Sequence, residues 1–118
     1  MESIKQKKIA QLIKEVLSEI FQRESLSVVQ GGMITISHVM ITPDLIVAKV
    51  YLSFFQIKDP AAVIESLQQG ERELRGKLGN KIRNQVRRIP ELHFFVDDSL
   101  EEVFRMEEIF KKIKKKED

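Results

Sequence analysis

Apolar residues at Ile9, Leu12, Ile13, Val16, Leu17, Ile20 and Phe21 recur every three or four positions and line one stripe of an α-helix. Lys5, Lys7, Lys8, Lys14 and Glu15 flank the stripe, which ends near Glu24-Ser25. Residues 25–30 read as a loop, and Gly31-Gly32 as a turn or a strand entry. The period then becomes two. Ile34 and Ile36 alternate with Thr35 and Ser37, predicting a strand from Met33 to Met40. Thr42-Pro43-Asp44 is a turn signal, and Leu45 to Phe55 predicts a second strand. Ile46, Ala48, Val50, Leu52 and Phe54 share one of its faces; Lys49, Tyr51 and Ser53 share the other. The two runs form an antiparallel hairpin.

Asp59 can cap a helix that Pro60 begins. Val63, Leu67, Leu74, Leu78, Ile82 and Val86 carry an apolar stripe onward, with Gly70, Gly76 and Gly79 interrupting it. Each interior glycine costs about 1 kcal/mol relative to alanine, which favours two helices joined by a kink over one rod. Pro90 ends the helical stretch, and Leu92, Phe94 and Val96 alternate as a third strand. Ser99 with Glu102 fits a capping box for a last helix carrying Leu100, Val103, Phe104, Met106, Phe110 and Ile113. Its acidic start and lysine-rich end suit the helix dipole. Helices covering one face of a three-stranded sheet give a two-layer α+β domain.

Composition narrows the function. The 118 residues read as a single domain, 1–118, with a short charged tail at 111–118. No cysteine is present, which removes disulfides and thiolate metal sites and fits a reducing compartment. No apolar run approaches the roughly 20 residues of a membrane span. His38 and His93 fall on separate strands, and no phosphate loop or nucleophile elbow occurs. Asp97-Asp98 with Glu101-Glu102 is explained by capping more economically than by a Mg²⁺ site. No catalytic residue, metal site, cofactor or small-molecule substrate is expected.

Charge is distributed unevenly. Between Glu71 and Arg88 lie Arg72, Arg75, Lys77, Lys81, Arg83, Arg87 and Arg88 against only Glu71 and Glu73. That surplus of five sits in a chain of formal charge +2, so the remainder sums to −3. Seven cations flanking one apolar stripe make a broad outer face suited to RNA phosphates. A merely solvated helix is the competing explanation. Asn80, Asn84 and Gln85 lie among the cations, to bond base edges or 2′-hydroxyls or simply to be hydrated. The glycine kink either lets the backbone approach a phosphate or is a plain helix–helix turn. The N-terminal lysines form a weaker basic area best read as solvated. Most of Phe21, Phe54, Phe55, Phe94, Phe95, Phe104 and Phe110 are expected in the core, and Tyr51 alone makes no stacking platform.

Several strings resemble the bacterial ribosome-binding factor A family, whose fold is a KH domain of the second type. Thr35-Ile36, Val39, Pro43-Asp44-Leu45 and Ala48 to Ser53 look like its first hairpin. Leu74-Arg75, Leu78-Gly79 and Arg87-Arg88 look like its basic helices, and Pro90-Glu91-Leu92, Phe94, Asp97, Ser99-Leu100 and Arg105-Met106 like its last strand and exit. The resemblance runs from about Lys7 to Ile113. It departs in three places. Residues 24–30 lack the family's Asp-Pro-Arg stretch, Gly70-Glu71-Arg72 stands where the family has Ala-x-Gly, and about two residues are inserted between Gly79 and Arg87.

The resemblance implies a cytoplasmic, monomeric, non-enzymatic assembly factor. Such factors bind the free 30S small subunit late in maturation and support 5′-end processing of 16S rRNA. The residues assigned to RNA are Arg72, Arg75, Lys77, Lys81, Arg83, Asn84, Arg87 and Arg88, with Gly70, Gly76 and Gly79 forming the kink. The alternative is a protein–protein adaptor using the hairpin edge and the acidic start of the last helix.

Overall fold

The computed structural model describes residues 2–97. The last helix expected from Ser99, the tail, and Asp98, Glu101 and Glu102 of the adaptor alternative lie outside the described residues.

Helix α1 spans Ile4–Arg23. Ser3 Oγ accepts the Gln6 amide at 3.1 Å while Gln6 Oε1 accepts the Ser3 amide at 2.7 Å, a reciprocal capping box. Gln6 is buried, and its Nε2 also donates to the Ile41 carbonyl at 2.8 Å. One side chain thus starts the helix and pins it to the end of a strand. The apolar stripe buries Ile13, Leu17, Ile20 and Phe21.

Four strands form the sheet, in the order β1-β2-β3-β4: β1 Val28–Val29, β2 Gly32–Ile41, β3 Val47–Phe55 and β4 Glu91–Val96. The expectation of three strands is corrected by β1, which lies within the predicted loop and is too short to show a period. It pairs with β2 across Gln30-Gly31, whose φ values of 55° and 77° define a two-residue turn with both centres left-handed. A Cβ on Gly32 would sit 2.2 Å from the Phe55 carbonyl oxygen, so only glycine fits where β2 meets the end of β3. The second strand begins two residues later than predicted, because Leu45 turns the chain with φ of 63°.

β2 and β3 are antiparallel, and β3 and β4 are parallel, the latter joined through the helices. A bulge between Ile36 and His38 shifts the phase of β2, so Ile34 and Ile36 and then Val39 and Ile41 all face inward. They meet Ala48, Val50, Leu52, Leu92 and Phe94 beneath the helices. The result is the expected two-layer α+β arrangement, with one more strand.

Helices α2, Pro60–Gln69, and α3, Glu71–Ile82, break at Gly70. Gly76 and Gly79 lie inside α3 rather than at the break. The basic helix does not reach Arg88. It ends at Ile82, and Arg83 to Pro90 form a turn-rich segment leading to β4. Pro90 cannot continue a helix and disfavours helical geometry at Ile89.

Candidate nucleic-acid interface

The break at Gly70 is held by side chains on both of its sides. Gln68 in α2 donates from Nε2 to the Leu92 carbonyl at 2.9 Å and accepts the Phe94 amide on Oε1 at 3.1 Å. Glu71, the first residue of α3, accepts the Leu92 amide at 3.0 Å. Together they occupy polar groups on the outer edge of β4, which would otherwise offer an open strand edge. The angle between the helices is therefore fixed against the sheet.

On α3, Leu74, Leu78 and Ile82 are buried and the cations surround them. They are not equivalent. Arg75 Nε lies 3.6 Å from Glu71 Oε1. Lys77 Nζ lies 2.8 Å from Glu24 at the end of α1 and 3.5 Å from Glu73, and the Glu24 contact is the main reason its pKa is raised. Arg72, Lys81 and Arg83 are exposed, and Asn84 is exposed in the turn just beyond. Among the described residues no ion pair holds Arg72, Lys81, Arg83, Arg87 or Arg88.

α1 and α3 run antiparallel. Glu24 meets Lys77 at one end, while Gln85 and Val86 lie beside Lys8, Ile9 and Leu12 at the other. This brings the weaker basic area of the sequence against Arg87 and Arg88. Lys5 and Lys8 stand in the first two turns of α1, whose opening turn contains no acid. Cations near a helix N-terminus oppose the dipole by typically 0.3–1 kcal/mol each, so local helix stability does not account for them.

The sheet face opposite these helices carries a feature that residue counting missed. His38 stacks on Tyr51 with centroids 4.3 Å apart and planes 10° apart, and Tyr51 on Phe95 at 5.4 Å and 28°. His38 Nδ1 lies 3.8 Å from Asp97. Phe55 and Phe95 are 61% and 39% exposed, exceptions to the expectation that most phenylalanines are core. Alternation carried the signal: Phe95 shares a parity with His93, opposite to buried Leu92 and Phe94. Both faces of the Tyr51 ring are occupied by its neighbours.

At the β2–β3 turn, the Thr42 hydroxyl donates to Asp44, and Asp44 also accepts the Ile46 amide at 3.0 Å. These two bonds, with the charge of Arg88 at longer range, hold the Asp44 carboxyl below its ordinary pKa. Among the described residues no three His, Asp or Glu side chains converge as a metal site, and no helix is long and apolar enough to cross a membrane.

The family profile of ribosome-binding factor A matches residues 5–110. The chain belongs to the ribosome-binding factor A family. Ribosome-binding factor A of Cytophaga hutchinsonii is 41% identical over 120 residues, covering 100% of this chain and 90% of that protein. The Chlorobium phaeobacteroides member is 38% identical, covering 98% of this chain and 99% of its own. The fold matches the crystal structure of ribosome-binding factor A from Thermus thermophilus with TM-score 0.63 at 23% identity, over 77% of this chain and 94% of that one. It also matches a Thermus thermophilus ribosome-binding factor A homology model fitted into a cryo-EM map of its 30S complex. That match has TM-score 0.60 at 26% identity, over 75% of this chain and 91% of the other. In this family member the helix break stands at Gly70 although the Ala-x-Gly sequence is missing, because the Gln68 and Glu71 clamp sets the angle.

Proposed function

We propose that this protein is a non-enzymatic, RNA-binding assembly factor with a KH-like fold that binds the free 30S small subunit in the cytoplasm. It supports late maturation and 5′-end processing of 16S rRNA. The observation that carries this reading is a set of exposed cations, Arg72, Lys81, Arg83, Arg87 and Arg88, on one rigid helix and the turn after it. None of them is held in an ion pair among the described residues, and the chain is of this family. A Thermus thermophilus family member fitted into a 30S complex supports the choice of partner.

The work is mechanical and electrostatic. Phosphate contacts from these cations position the RNA without reading its sequence. Asn84, beside Arg83, supplies a donor and an acceptor for a base edge or a 2′-hydroxyl. Lys77, paired with Glu24, ties α3 to the end of α1, and Arg75 is paired with Glu71 of its own helix. Greater affinity for one of two rRNA conformations would bias its folding toward the bound one.

Sedimentation with purified 30S subunits, 50S subunits and 70S ribosomes over a salt series tests this. Binding to free 30S only is expected, with log K falling against log salt by roughly 0.7–0.9 per phosphate contact. Equal binding to all three particles, or binding indifferent to salt, would refute it.

A further inference from the structure

A groove of about 660 Å³ lies between the start of α1 and the segment after α3, outside the α2–α3 break. Its volume is within the range of small-ligand sites. Lys5 and Lys8 stand on the α1 side and Arg87 and Arg88 on the other, and no acid is among the lining residues. The half-buried Leu45 and Val86 add apolar surface between these cations, with buried Pro90 behind them.

Two oddities of the chain converge here. Lysines occupy the end of α1 where the dipole disfavours them. Leu45 holds a left-handed backbone, unfavourable for a branched side chain, and its side chain is thereby set into the groove. Local rules broken together at one concavity point to a function there.

We propose that this groove is a second RNA subsite, taking an unpaired stretch of RNA. Lys5 and Lys8 on one wall and Arg87 and Arg88 on the other hold successive phosphates, and an unstacked base lies on Leu45 and Val86. Charge complementarity selects a polyanion. The apolar floor selects a single strand, because a duplex keeps its bases stacked inside and offers the floor only backbone. The subsite rests on the RNA-binding reading above, since Arg87 and Arg88 serve both. It extends the contact surface from α3 to the first turns of α1.

Binding of a short single-stranded oligoribonucleotide, of a hairpin duplex and of purified 30S subunits tests it, using the full chain, a Lys5→Gln/Lys8→Gln variant and an Arg72→Gln/Lys81→Gln variant. Lys5→Gln/Lys8→Gln should weaken single-strand binding about tenfold and flatten the log–log salt slope by roughly 1.4, two single-strand contacts. Duplex binding should change less. Because the chain has no cysteine, Ile4→Cys places one thiol at the groove, at a position 74% exposed. A photo-crosslinker there should capture RNA, and the same group on Glu19→Cys should not. Wild-type affinity in Lys5→Gln/Lys8→Gln, or no crosslink from Ile4→Cys, overturns the groove; a loss in Arg72→Gln/Lys81→Gln alone leaves the α3 face standing. Failure of the wild type to bind any RNA overturns both. A loss seen with 30S subunits but not with RNA stripped of protein assigns the groove to a ribosomal protein and overturns the RNA occupant.

Discussion

α3 and the segment that follows it carry similar charge in the sequence and very different charge in space. On α3, Arg75 and Lys77 are engaged with Glu71, Glu73 and Glu24. After Ile82, Arg83 and Arg87 are in no ion pair among the described residues, Arg88 acts on Asp44 only at longer range, and Lys5 and Lys8 join Arg87 and Arg88 across a groove. A cation within reach of a carboxylate is partly neutralised and tethered. One without is available to a phosphate. On the proposed reading Arg75 and Lys77 are spent within the fold, while Arg72 and Lys81 of α3 and the three arginines after it keep their charge for a partner.

Charge reversal separates the two most strongly. Arg83→Glu/Arg87→Glu/Arg88→Glu removes three cations and places three repulsive charges against RNA. Affinity for 30S subunits should fall on the order of 100-fold or more at low salt, with the far-ultraviolet circular dichroism and thermal midpoint little changed. Arg75→Gln/Lys77→Gln should move affinity by less than about threefold, because those charges are largely spent on their own carboxylates. Equal losses in the two variants would erase the distinction between the regions.

Two hydrogen-bonding anchors, half-buried Glu71 and buried Gln6, sharpen it at the level of stability. Glu71→Ala leaves the Leu92 amide without its acceptor and frees Arg75, so unfolding in urea should be easier by about 1–3 kcal/mol. RNA affinity should hold or rise slightly, since one carboxylate has gone from the face. Gln6→Ala removes half of the capping box and the bond to Ile41, at a cost of about 1–2 kcal/mol. Here affinity should fall with stability, because the frayed turn carries Lys5 and Lys8. A Gln6→Ala protein that binds like wild type would detach α1 from the interface.

Much of this was legible in the chain. The period of α1, the alternation of β3, the first half of β2, the break between two helices and the start of β4 follow from local spacing, whereas Val96 is exposed despite its parity and Gln6 and Ala10 are buried outside the predicted stripe. What stayed hidden depended on partners distant in sequence. β1 has two residues and exists only because Gln30-Gly31 folds it back onto β2. The end of α3 at Ile82 lies inside a stripe that Val86 continues by spacing alone; Val86 does pack toward the core, but from a turn. The pairing of Lys77 with Glu24 spans two helices, and no charge count along the chain separates Lys77 from Lys81. The three-residue step from Ile36 to Val39 was a visible mark of the bulge, and the parity of Phe95 a visible mark of its exposure.

The smallest effects are those of pH, one in each region. Asp44, near the groove, has a folded pKa below its ordinary 3.8, first through the Thr42 hydroxyl and then the Ile46 amide. Its contribution is present above the unfolded pKa and is lost as pH falls through the folded one. The thermal midpoint of wild type should therefore drop more than that of Asp44→Asn on acidification below about pH 4. Lys77, on α3, has a folded pKa above its ordinary 10.5, first through its bond to Glu24. Its contribution is complete below the unfolded pKa and fades as pH rises through the folded one, so wild type should lose more than Lys77→Gln in alkaline melts. Both groups are solvent-accessible, and salt should shrink both differences. Asp44 adds a test of place, because Arg88 contributes to its shift: RNA that neutralises Arg88 should raise the Asp44 pKa, followed by its carboxyl NMR resonance, while leaving Lys77 unmoved. A shift at Lys77 on RNA binding, with none at Asp44, would reverse the roles assigned to the two regions.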